Sequence, residues 1–300
     1  MYESFYGFRE KPFSLLPDPG FLYLSEKHRM ALTMLQYGLM NQAGFTVITG
    51  EIGSGKTTLI RKLLEEVGEE VSVGVVSNTH RNFGELLQWV LLAFDLEYRE
   101  KKKVELYQTL ADFIIRQYGQ GRNTVLIIDE AQNLSPEALE ELRMLSNINA
   151  DKDQVLQLML VGQPGLRDTL RLPELYQFAQ RVAVDYNLKP LSLEETWLYI
   201  RHRLRSAGGD PNIFDTKACA AVYYYTGGTP RLINILCDTA LVYGFAEHKR
   251  RVDAAIVCEV AREKAAGGIF PVREDRAAND GGVVRELNSV KKETRDLRDL

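Results

Sequence analysis

The stretch that decides the fold is Gly50-Glu51-Ile52-Gly53-Ser54-Gly55-Lys56-Thr57-Thr58. It fits the pattern G-x-x-x-x-G-K-[ST] of the phosphate-binding P-loop. The apolar, β-branched residues 45–49 precede it and predict a buried strand, whereas residues 59–67 carry apolar side chains at helical spacing. The stretch therefore lies between a strand and a helix, where a loop can bind phosphate at the helix N-terminus.

The residue types of this loop indicate how it would hold a nucleotide. Its glycines allow the backbone to close around an anion without Cβ clashes, so the N–H groups of residues 53–57 point at the β-phosphate. Lys56 is expected to reach the β- and γ-phosphates, and the Thr57 hydroxyl is expected to hold Mg²⁺. We therefore expect residues 50–58 to bind ATP, with Mg²⁺ as the second cofactor. A glycine-rich turn that fits the pattern by accident is the alternative.

A second candidate site follows in Thr124-Val125-Leu126-Ile127-Ile128-Asp129-Glu130. Consecutive apolar residues predict a strand buried on both faces, and two carboxylates follow at its C-terminal end. This is the Walker B pattern, in which Asp129 binds Mg²⁺ through water and Glu130 orients and polarises the attacking water. A buried strand that ends in exposed acids is the alternative, but the P-loop that precedes it in the chain favours the catalytic interpretation.

Strands and helices alternate in the first two thirds of the chain, and helices alone follow. Strands are predicted at residues 45–49, 71–77, 124–128, 155–161 and 182–188, with helices at 25–41, 83–94 and 103–119. Four more helices are predicted at 192–206, 215–225, 230–245 and 253–263. The expected domains are an N-terminal arm and helix packing on the core at 1–44, a core at 45–190, a helical lid at 191–264 and a tail at 265–300. The arm is also a candidate wall of the adenine pocket.

Four polar residues outside these two motifs are weaker candidates. Asn78 ends the second strand and Gln163 ends the fourth, so either could face the site or belong to an ordinary turn. Arg181 opens the fifth strand, where an isolated arginine is usually a surface residue. Arg231 follows Thr229-Pro230 near a helix N-terminus, where a cation is unfavourable unless an anion such as the γ-phosphate of ATP lies nearby.

Composition sets broad limits on the protein. The 300 residues are 45% hydrophobic and 26% charged, with a formal net charge of −4, which argues against nucleic-acid binding by the whole surface but allows a local basic patch. Three widely spaced cysteines and four scattered histidines give no disulfide framework or metal site and favour a reducing, cytoplasmic location. No apolar run reaches the ~18 residues of a membrane span, and the N-terminus lacks a signal-peptide core.

Two charged segments are open to more than one interpretation. The run at residues 99–103 is typical of a solvated helix start, and contact with an acidic partner or nucleic acid is the alternative. In the tail, Val283, Leu287, Val290 and Leu297 are spaced nearly as in a heptad repeat. This short pattern is equally consistent with a coiled coil, a frayed helix or disorder.

The blocks of this sequence together resemble the AAA+ ATPases, specifically the group around general secretion pathway A (ExeA) proteins and exosortase- or polysaccharide-associated ATPases. The opening MYESFYGFREKPFSLLPDPGFLYLS is similar to the N-terminal signature of that group. Further blocks follow in the group's order, namely GEIGSGKTT, VLIIDEAQNLS, LMLVGQPGL, QRVAVDYNLKPLS and TGGTPRLIN. The resemblance covers about residues 1–264. Secretion-type members continue through a membrane helix into a peptidoglycan-binding domain, so the resemblance does not carry a cell-wall role over to this sequence.

The resemblance implies an α/β P-loop NTPase fold with a five-stranded parallel sheet in the order 5-1-4-3-2 and a C-terminal helical lid. It places Gln163 at the sensor-1 position and Arg231 at sensor 2. Arg181 falls where the group is thought to place an arginine finger that acts on the neighbouring subunit. Asn78 resembles the residue proposed to hold the catalytic glutamate inactive until a partner binds.

These implications favour an Mg²⁺-dependent ATPase that works as an oligomeric switch or motor, in a ring or a filament. A protein partner in an envelope secretion or polysaccharide-export assembly is expected by family analogy, with a cytoplasmic location that could become peripheral at the inner membrane. A DNA-associated AAA+ regulator of the transposition or initiator type is the alternative, with the basic segments 201–205 and 248–251 as candidate pore residues. A nucleotide-binding scaffold with little turnover is a third possibility, against which Asp129 and Glu130 argue.

Overall fold

A computed structural model describes residues 1–16, 18–77, 86–150 and 153–267. Asn78 and the tail 268–300 lie outside the described residues, so the roles expected of them stay predictions. The described chain forms two compact units. One unit contains residues 26–52 and 56–189, and the other contains residues 1–25, 53–55 and those from Pro190 onward.

The first of these units is built on a parallel sheet of five strands. In chain order its strands are β1 (Phe45–Gly50), β2 (Val71–Val76), β3 (Asn123–Ile128), β6 (Leu156–Gly162) and β7 (Val182–Leu188). Their spatial order is β2-β3-β6-β1-β7, and every neighbouring pair runs parallel. Numbered as the five sheet strands, this order is 2-3-4-1-5, which is the order 5-1-4-3-2 read from the other edge. The predicted fold class is therefore confirmed.

The burial of the strands follows from their place in the sheet. The central strands β1 and β6 are buried at every position, because helices cover both faces of a parallel sheet. In the edge strand β7, only Val184 and Leu188 are buried. A two-stranded antiparallel hairpin, β4 (Asn149–Ala150) and β5 (Asp153–Gln154), precedes β6 and was absent from the predicted elements.

Seven helices accompany this sheet in the described residues of its unit. They are α2 (Glu26–Met40), α3 (Lys56–Glu66), α4 (Leu86–Ala93), α5 (Lys103–Gly119), α6 (Pro136–Leu145), α7 (Gly165–Leu170) and α8 (Tyr176–Ala179). Short 3₁₀ turns lie at Ala131–Asn133 and Pro173–Leu175. Helix α6 has two features of a stable N-terminus, because Ser135 Oγ accepts the Ala138 N–H at 3.2 Å and proline occupies the first turn.

The second unit is helical. It contains α1 (Glu3–Tyr6), α9 (Leu193–Ser206), α10 (Thr216–Thr226), α11 (Pro230–Ala246) and α12 (Ala254–Gly267), with a 3₁₀ turn at Pro19–Phe21. Ser192 and Glu195 form a capping box at the start of α9, and Asp215 caps α10. The ends of α9, α10, α11 and α12 agree with those of the four predicted helices to within four residues.

The N-terminal segment packs against these helices through aromatic side chains. Tyr2, Tyr6, Phe8, Phe13 and Phe21 are buried in the same core as the side chains of α9 to α12. The buried Arg203 donates to the Pro12 carbonyl at 2.6 Å and to the Ser14 carbonyl at 3.0 Å. The stretch that the sequence groups as residues 1–44 is thus divided between the units, with residues 1–25 in the helical unit and α2 in the sheet unit.

Candidate active site

The P-loop connects the end of β1 at Gly50 to the start of α3 at Lys56. Gly53 and Gly55 adopt φ values of 75° and 101°, in the left-handed region that side chains with a Cβ disfavour. These two positions therefore need glycine for a conformational reason. The loop ends at the N-terminus of α3, where backbone N–H groups without helical partners attract anions.

Lys56 is buried at the base of this loop. Its Nζ donates to the Gly50 carbonyl at 2.8 Å and to the Glu51 carbonyl at 3.0 Å. Burial lowers the pKa of Lys56, against the opposing effect of the Glu130, Asp129 and Glu51 carboxylates. A phosphate bound beside this ammonium would favour its charged form, as expected for a phosphate-binding lysine.

Thr57 and Asp129 meet between the loop and the end of β3. Thr57 Oγ1 donates to Asp129 Oδ2 at 2.8 Å, and the Thr57 side chain is exposed whereas Asp129 is buried. Burial raises the pKa of Asp129, although the hydrogen bonds from Thr57 and from the Glu130 N–H oppose this effect.

This pair fits the Mg²⁺ expected from the sequence. A hydroxyl and a carboxylate oxygen are donors that Mg²⁺ prefers, and Mg²⁺ is commonly held by one or two carboxylates together with substrate phosphates and water. A bound cation would also compensate the buried negative charge that raises the pKa of Asp129. Among the described residues, no three His, Cys, Asp or Glu side chains cluster as a metal site.

Glu130 has an unusual backbone conformation. Its φ is 55°, in the left-handed region, and it is the second residue after β3. Its N–H donates to Asp129 Oδ1 at 2.9 Å, and its Oε2 accepts hydrogen bonds from Gln132 Nε2 at 2.6 Å and from Gln163 Nε2 at 3.2 Å. Strained conformations of this kind cost about 1–3 kcal/mol and concentrate at functional sites. The structure brings Glu130 and Gln163 within hydrogen-bonding distance, and the roles expected of them stay predictions.

Gln132 is a site residue to which sequence reasoning assigned no role. It lies in the 3₁₀ turn Ala131–Asn133, and its Oε1 accepts the Gln163 N–H at 2.9 Å. Gly162 leaves room for this contact, since a Cβ there would come within 2.9 Å of Gln132 Oε1. The signal available in the sequence was an amide two residues after Glu130 and a glycine directly before Gln163.

Arg181 lies away from these residues in its own chain. It precedes β7, and β7 pairs with β1 so that Val182 faces Phe45 and Leu188 faces Gly50. Arg181 is therefore at the amino edge of the sheet, roughly 20 Å from the edge that carries the P-loop. Its guanidinium donates to Ser146 Oγ at 2.7 Å and to the Arg143 carbonyl at 3.3 Å, at the C-terminus of α6.

Arg231 lies in the helical unit, which also contains Gly53. The Arg231 N–H donates to the Gly53 carbonyl at 3.2 Å, and a Cβ at Gly53 would collide with the Arg231 side chain. Proline occupies the first turn of α11 as predicted, and the Arg231 side chain is exposed at this helix N-terminus. The remaining candidate, Asn78, lies outside the described residues.

Comparison with known proteins identifies the domain that carries the P-loop, Asp129, Glu130, Gln132 and Gln163. Residues 39–170 match a family model described as AAA domain. The chain contains an AAA domain. Over 253 residues the chain is 40% identical to general secretion pathway protein A of Aeromonas hydrophila, across 84% of this chain and 46% of that protein. The resemblance inferred from the sequence is confirmed, and the chain spans about half the length of this relative.

Solved structures show the same fold at low sequence identity. The ORC2 protein of Aeropyrum pernix in its ADPNP–ADP complexes aligns with a TM-score of 0.61 and 17% identity, covering 85% of this chain and 72% of that chain. Cdc6p from Pyrobaculum aerophilum aligns with a TM-score of 0.63 and 16% identity, covering 87% and 73%. Together with the strand order, these similarities assign the fold of an AAA-type P-loop NTPase. No helix in the described part of the chain is long and apolar enough to cross a membrane.

Proposed function

We propose that this AAA protein hydrolyses ATP to ADP and phosphate in an Mg²⁺-dependent reaction. The observation that carries the proposal is the junction of the P-loop and β3, where Thr57 Oγ1 lies 2.8 Å from Asp129 Oδ2 and Lys56 is close enough to Asp129 and Glu130 for its pKa to respond to both carboxylates. A phosphate-binding loop, a metal-binding pair and a general-base carboxylate are the components that phosphoryl transfer to water requires. The 40% identity to a general secretion pathway protein A supports the same activity class.

In this mechanism each side chain has a separate task. Lys56 and the loop N–H groups bind the phosphates, while Glu130 orients a water molecule and accepts its proton as the oxygen attacks the γ-phosphorus. The bond from the γ-phosphorus to the β-bridging oxygen breaks, and ADP leaves with that oxygen. Mg²⁺ held by Thr57 and Asp129 would neutralise charge that develops on the phosphates. Gln163 and Arg231 contact the γ-phosphate in this proposal.

The active form is proposed to be a homo-oligomer, in a ring or a filament. Arg181 lies roughly 20 Å from the P-loop edge of its own sheet, so an arginine finger at this position would act on a neighbouring subunit. Arginine fingers supplied in this way accelerate phosphoryl transfer by about 10³–10⁵. Hydrolysis would then depend on assembly. The angle between the expected core at 45–190 and the expected lid at 191–264 would change as ATP is hydrolysed.

The biological role is proposed by analogy with the secretion-pathway relative. The chain covers 46% of that protein, so its partners and location are inferred for this chain. We propose an ATP-driven switch or motor that supports assembly or regulation of a bacterial secretion or polysaccharide-export system. It would act in the cytoplasm and at the inner membrane through a protein partner.

Phosphate release from ATP tests the activity directly. The rate is measured with and without Mg²⁺ over a range of protein concentrations, for the wild type, Glu130→Gln and the exposed control Glu69→Gln. We expect Mg²⁺-dependent turnover that rises more than linearly with concentration, is lost in Glu130→Gln and is retained in Glu69→Gln. Nucleotide binding without turnover in the wild type would favour the scaffold role instead.

The same assay with added double-stranded DNA tests the biological role. A rate of ATP hydrolysis that is unchanged by added DNA agrees with the secretion role. A rate that is stimulated by DNA, with a stimulation that falls steeply as salt rises, would favour the role of a DNA-associated regulator over the secretion role.

A further inference from the structure

The side chain of Gln132 connects the ends of two sheet strands. Its Nε2 donates at 2.6 Å to Oε2 of Glu130, the second residue after β3, and its Oε1 accepts at 2.9 Å the N–H of Gln163, the first residue after β6. Gln163 Nε2 donates to the same Glu130 oxygen at 3.2 Å. The three residues therefore form a closed hydrogen-bonded ring around one carboxylate oxygen.

The orientation of the Gln132 amide follows from its partners. A backbone N–H can only donate, so the atom that faces Gln163 must be the amide oxygen, and the NH₂ group must then face the Glu130 carboxylate. Exchanging the two atoms would place a donor against a donor and an acceptor against an acceptor. The backbone of β6 thus sets the direction in which Gln132 donates.

The surrounding residues restrict Gln132 to this position. It follows Glu130 in a 3₁₀ turn that begins at the left-handed φ of 55°, and it approaches the end of β6 where Gly162 has no side chain. A Cβ on Gly162 would come within 2.9 Å of Gln132 Oε1 and within 3.2 Å of the Gln132 backbone nitrogen. The conformation of Glu130 and the absence of a Cβ at Gly162 together allow the amide to reach both strands.

We propose that Gln132 is a positioning residue for hydrolysis, which holds the Glu130 carboxylate in the orientation that accepts a proton from the attacking water. This inference rests on the proposed ATPase function and extends it to a residue outside the P-loop and Walker B motifs. The hydrogen bond from Gln132 fixes the rotamer of Glu130. The contact to Gln163 links this orientation to the strand end that carries the predicted sensor.

The variant Gln132→Glu separates positioning from folding. It keeps the size of the side chain and the acceptor for the Gln163 N–H, but it replaces the donor to Glu130 with a carboxylate. We expect kcat for ATP hydrolysis to fall at least about 10-fold, because the Glu130 carboxylate loses a hydrogen bond and faces a second carboxylate. The KM for ATP and nucleotide affinity should stay near the wild-type values, which shows that the variant is folded. Gln120→Glu makes the same chemical change at an exposed position and should leave kcat unchanged.

A double-mutant cycle with Glu130→Gln tests whether Gln132 acts through Glu130. Because the ionised carboxylate is absent in that background, adding Gln132→Glu should lower the single-turnover rate by less than twofold. An equal loss in both backgrounds, or a rise in KM at unchanged kcat, would overturn the positioning role. A kcat of Gln132→Glu equal to that of the wild type would also overturn the positioning role of Gln132, but it would leave the proposed ATPase function intact. If the wild type shows no hydrolysis, the proposed function fails first and this inference fails with it.

A second variant perturbs Gln132 without replacing it. Gly162→Ala places a methyl group against the Gln132 amide and should also lower kcat while ATP binding persists. Its effect should disappear in the Glu130→Gln background. An additive loss in that background would mean that residue 162 acts on hydrolysis independently of the ring.

Discussion

Thr57 Oγ1 donates a hydrogen bond of 2.8 Å to Asp129 Oδ2, although the two residues are 72 positions apart in the chain. The parallel sheet explains this contact, because β1 and β3 both flank β6 and their carboxyl ends lie at the same edge. The contact joins the start of helix α3 to the end of β3. The pair proposed to bind Mg²⁺ is thus built from two segments that are each recognisable in the sequence.

The first prediction concerns the buried charge of Asp129. Its pKa is raised in the folded state, so the native protein binds this proton more tightly than the unfolded chain does. Stability of the nucleotide-free protein is therefore lost as pH rises from the ordinary aspartate range through the raised pKa. At neutral pH, Asp129→Asn should increase the free energy of unfolding while Mg²⁺-dependent ATP hydrolysis falls.

Urea unfolding of the nucleotide-free wild type and Asp129→Asn, measured at neutral pH and near pH 3, checks this prediction. The stability difference should shrink at the lower pH, where Asp129 is protonated in both states. A variant that is less stable than the wild type at neutral pH would contradict it. Asp112→Asn, at an exposed position on α5, serves as the control and should show no such gain.

The second prediction concerns the role of Glu130. Glu130→Gln should lower kcat by about 10²–10⁴, the usual contribution of a positioned general base, because the amide cannot accept the proton of the attacking water. ATP affinity should persist because Lys56 and the loop N–H groups remain. Equilibrium binding of a fluorescent ATP analogue and single-turnover hydrolysis separate the two effects. Loss of both binding and turnover would contradict the assignment.

The third prediction concerns the backbone strain at Glu130. The left-handed region costs a residue with a Cβ about 1 kcal/mol or more of conformational free energy, whereas glycine adopts this region freely. Glu130 lies in this region. Glu130→Gly should therefore be more stable than Glu130→Ala by about 1 kcal/mol, although both lack the carboxylate. Urea denaturation of the two nucleotide-free variants measures this difference. Equal stabilities would show that residue 130 does not hold this conformation in solution.

The sequence predicted those parts of the fold and site that local patterns encode. The P-loop and the acidic end of β3 are each contained in one short segment. Apolar runs located four strands of the sheet, and alternating side chains located the fifth. The roles assigned to Lys56, Thr57, Asp129 and Glu130 remain predictions, but the structure brings these side chains to one edge. The resemblance supplied the strand order, which periodicity alone leaves open.

Other features depend on tertiary contacts that no local pattern specifies. The partner of the Gln132 amide is decided by where β3 and β6 end relative to each other and by the left-handed backbone of Glu130. The division of the N-terminal segment depends on buried aromatic side chains such as Phe13 and Phe21, which pack with helices about 200 residues later. Propensity and periodicity describe neither kind of contact.

The last prediction concerns Arg181 and its action between subunits. Arg181→Ala should keep its fold and nucleotide affinity but lose hydrolysis, because the γ-phosphate of the neighbouring subunit loses a cation. Glu130→Gln, in contrast, has an intact arginine and an impaired site. Mixed in equal amounts, the two inactive variants should form some interfaces that pair an intact Glu130 with an intact Arg181, so phosphate release should recover to a measurable fraction of the wild-type rate. Arg116→Ala, at an exposed position on α5, should retain activity alone. A mixture as inactive as its components, under conditions where wild-type subunits associate, would contradict an arginine finger at Arg181.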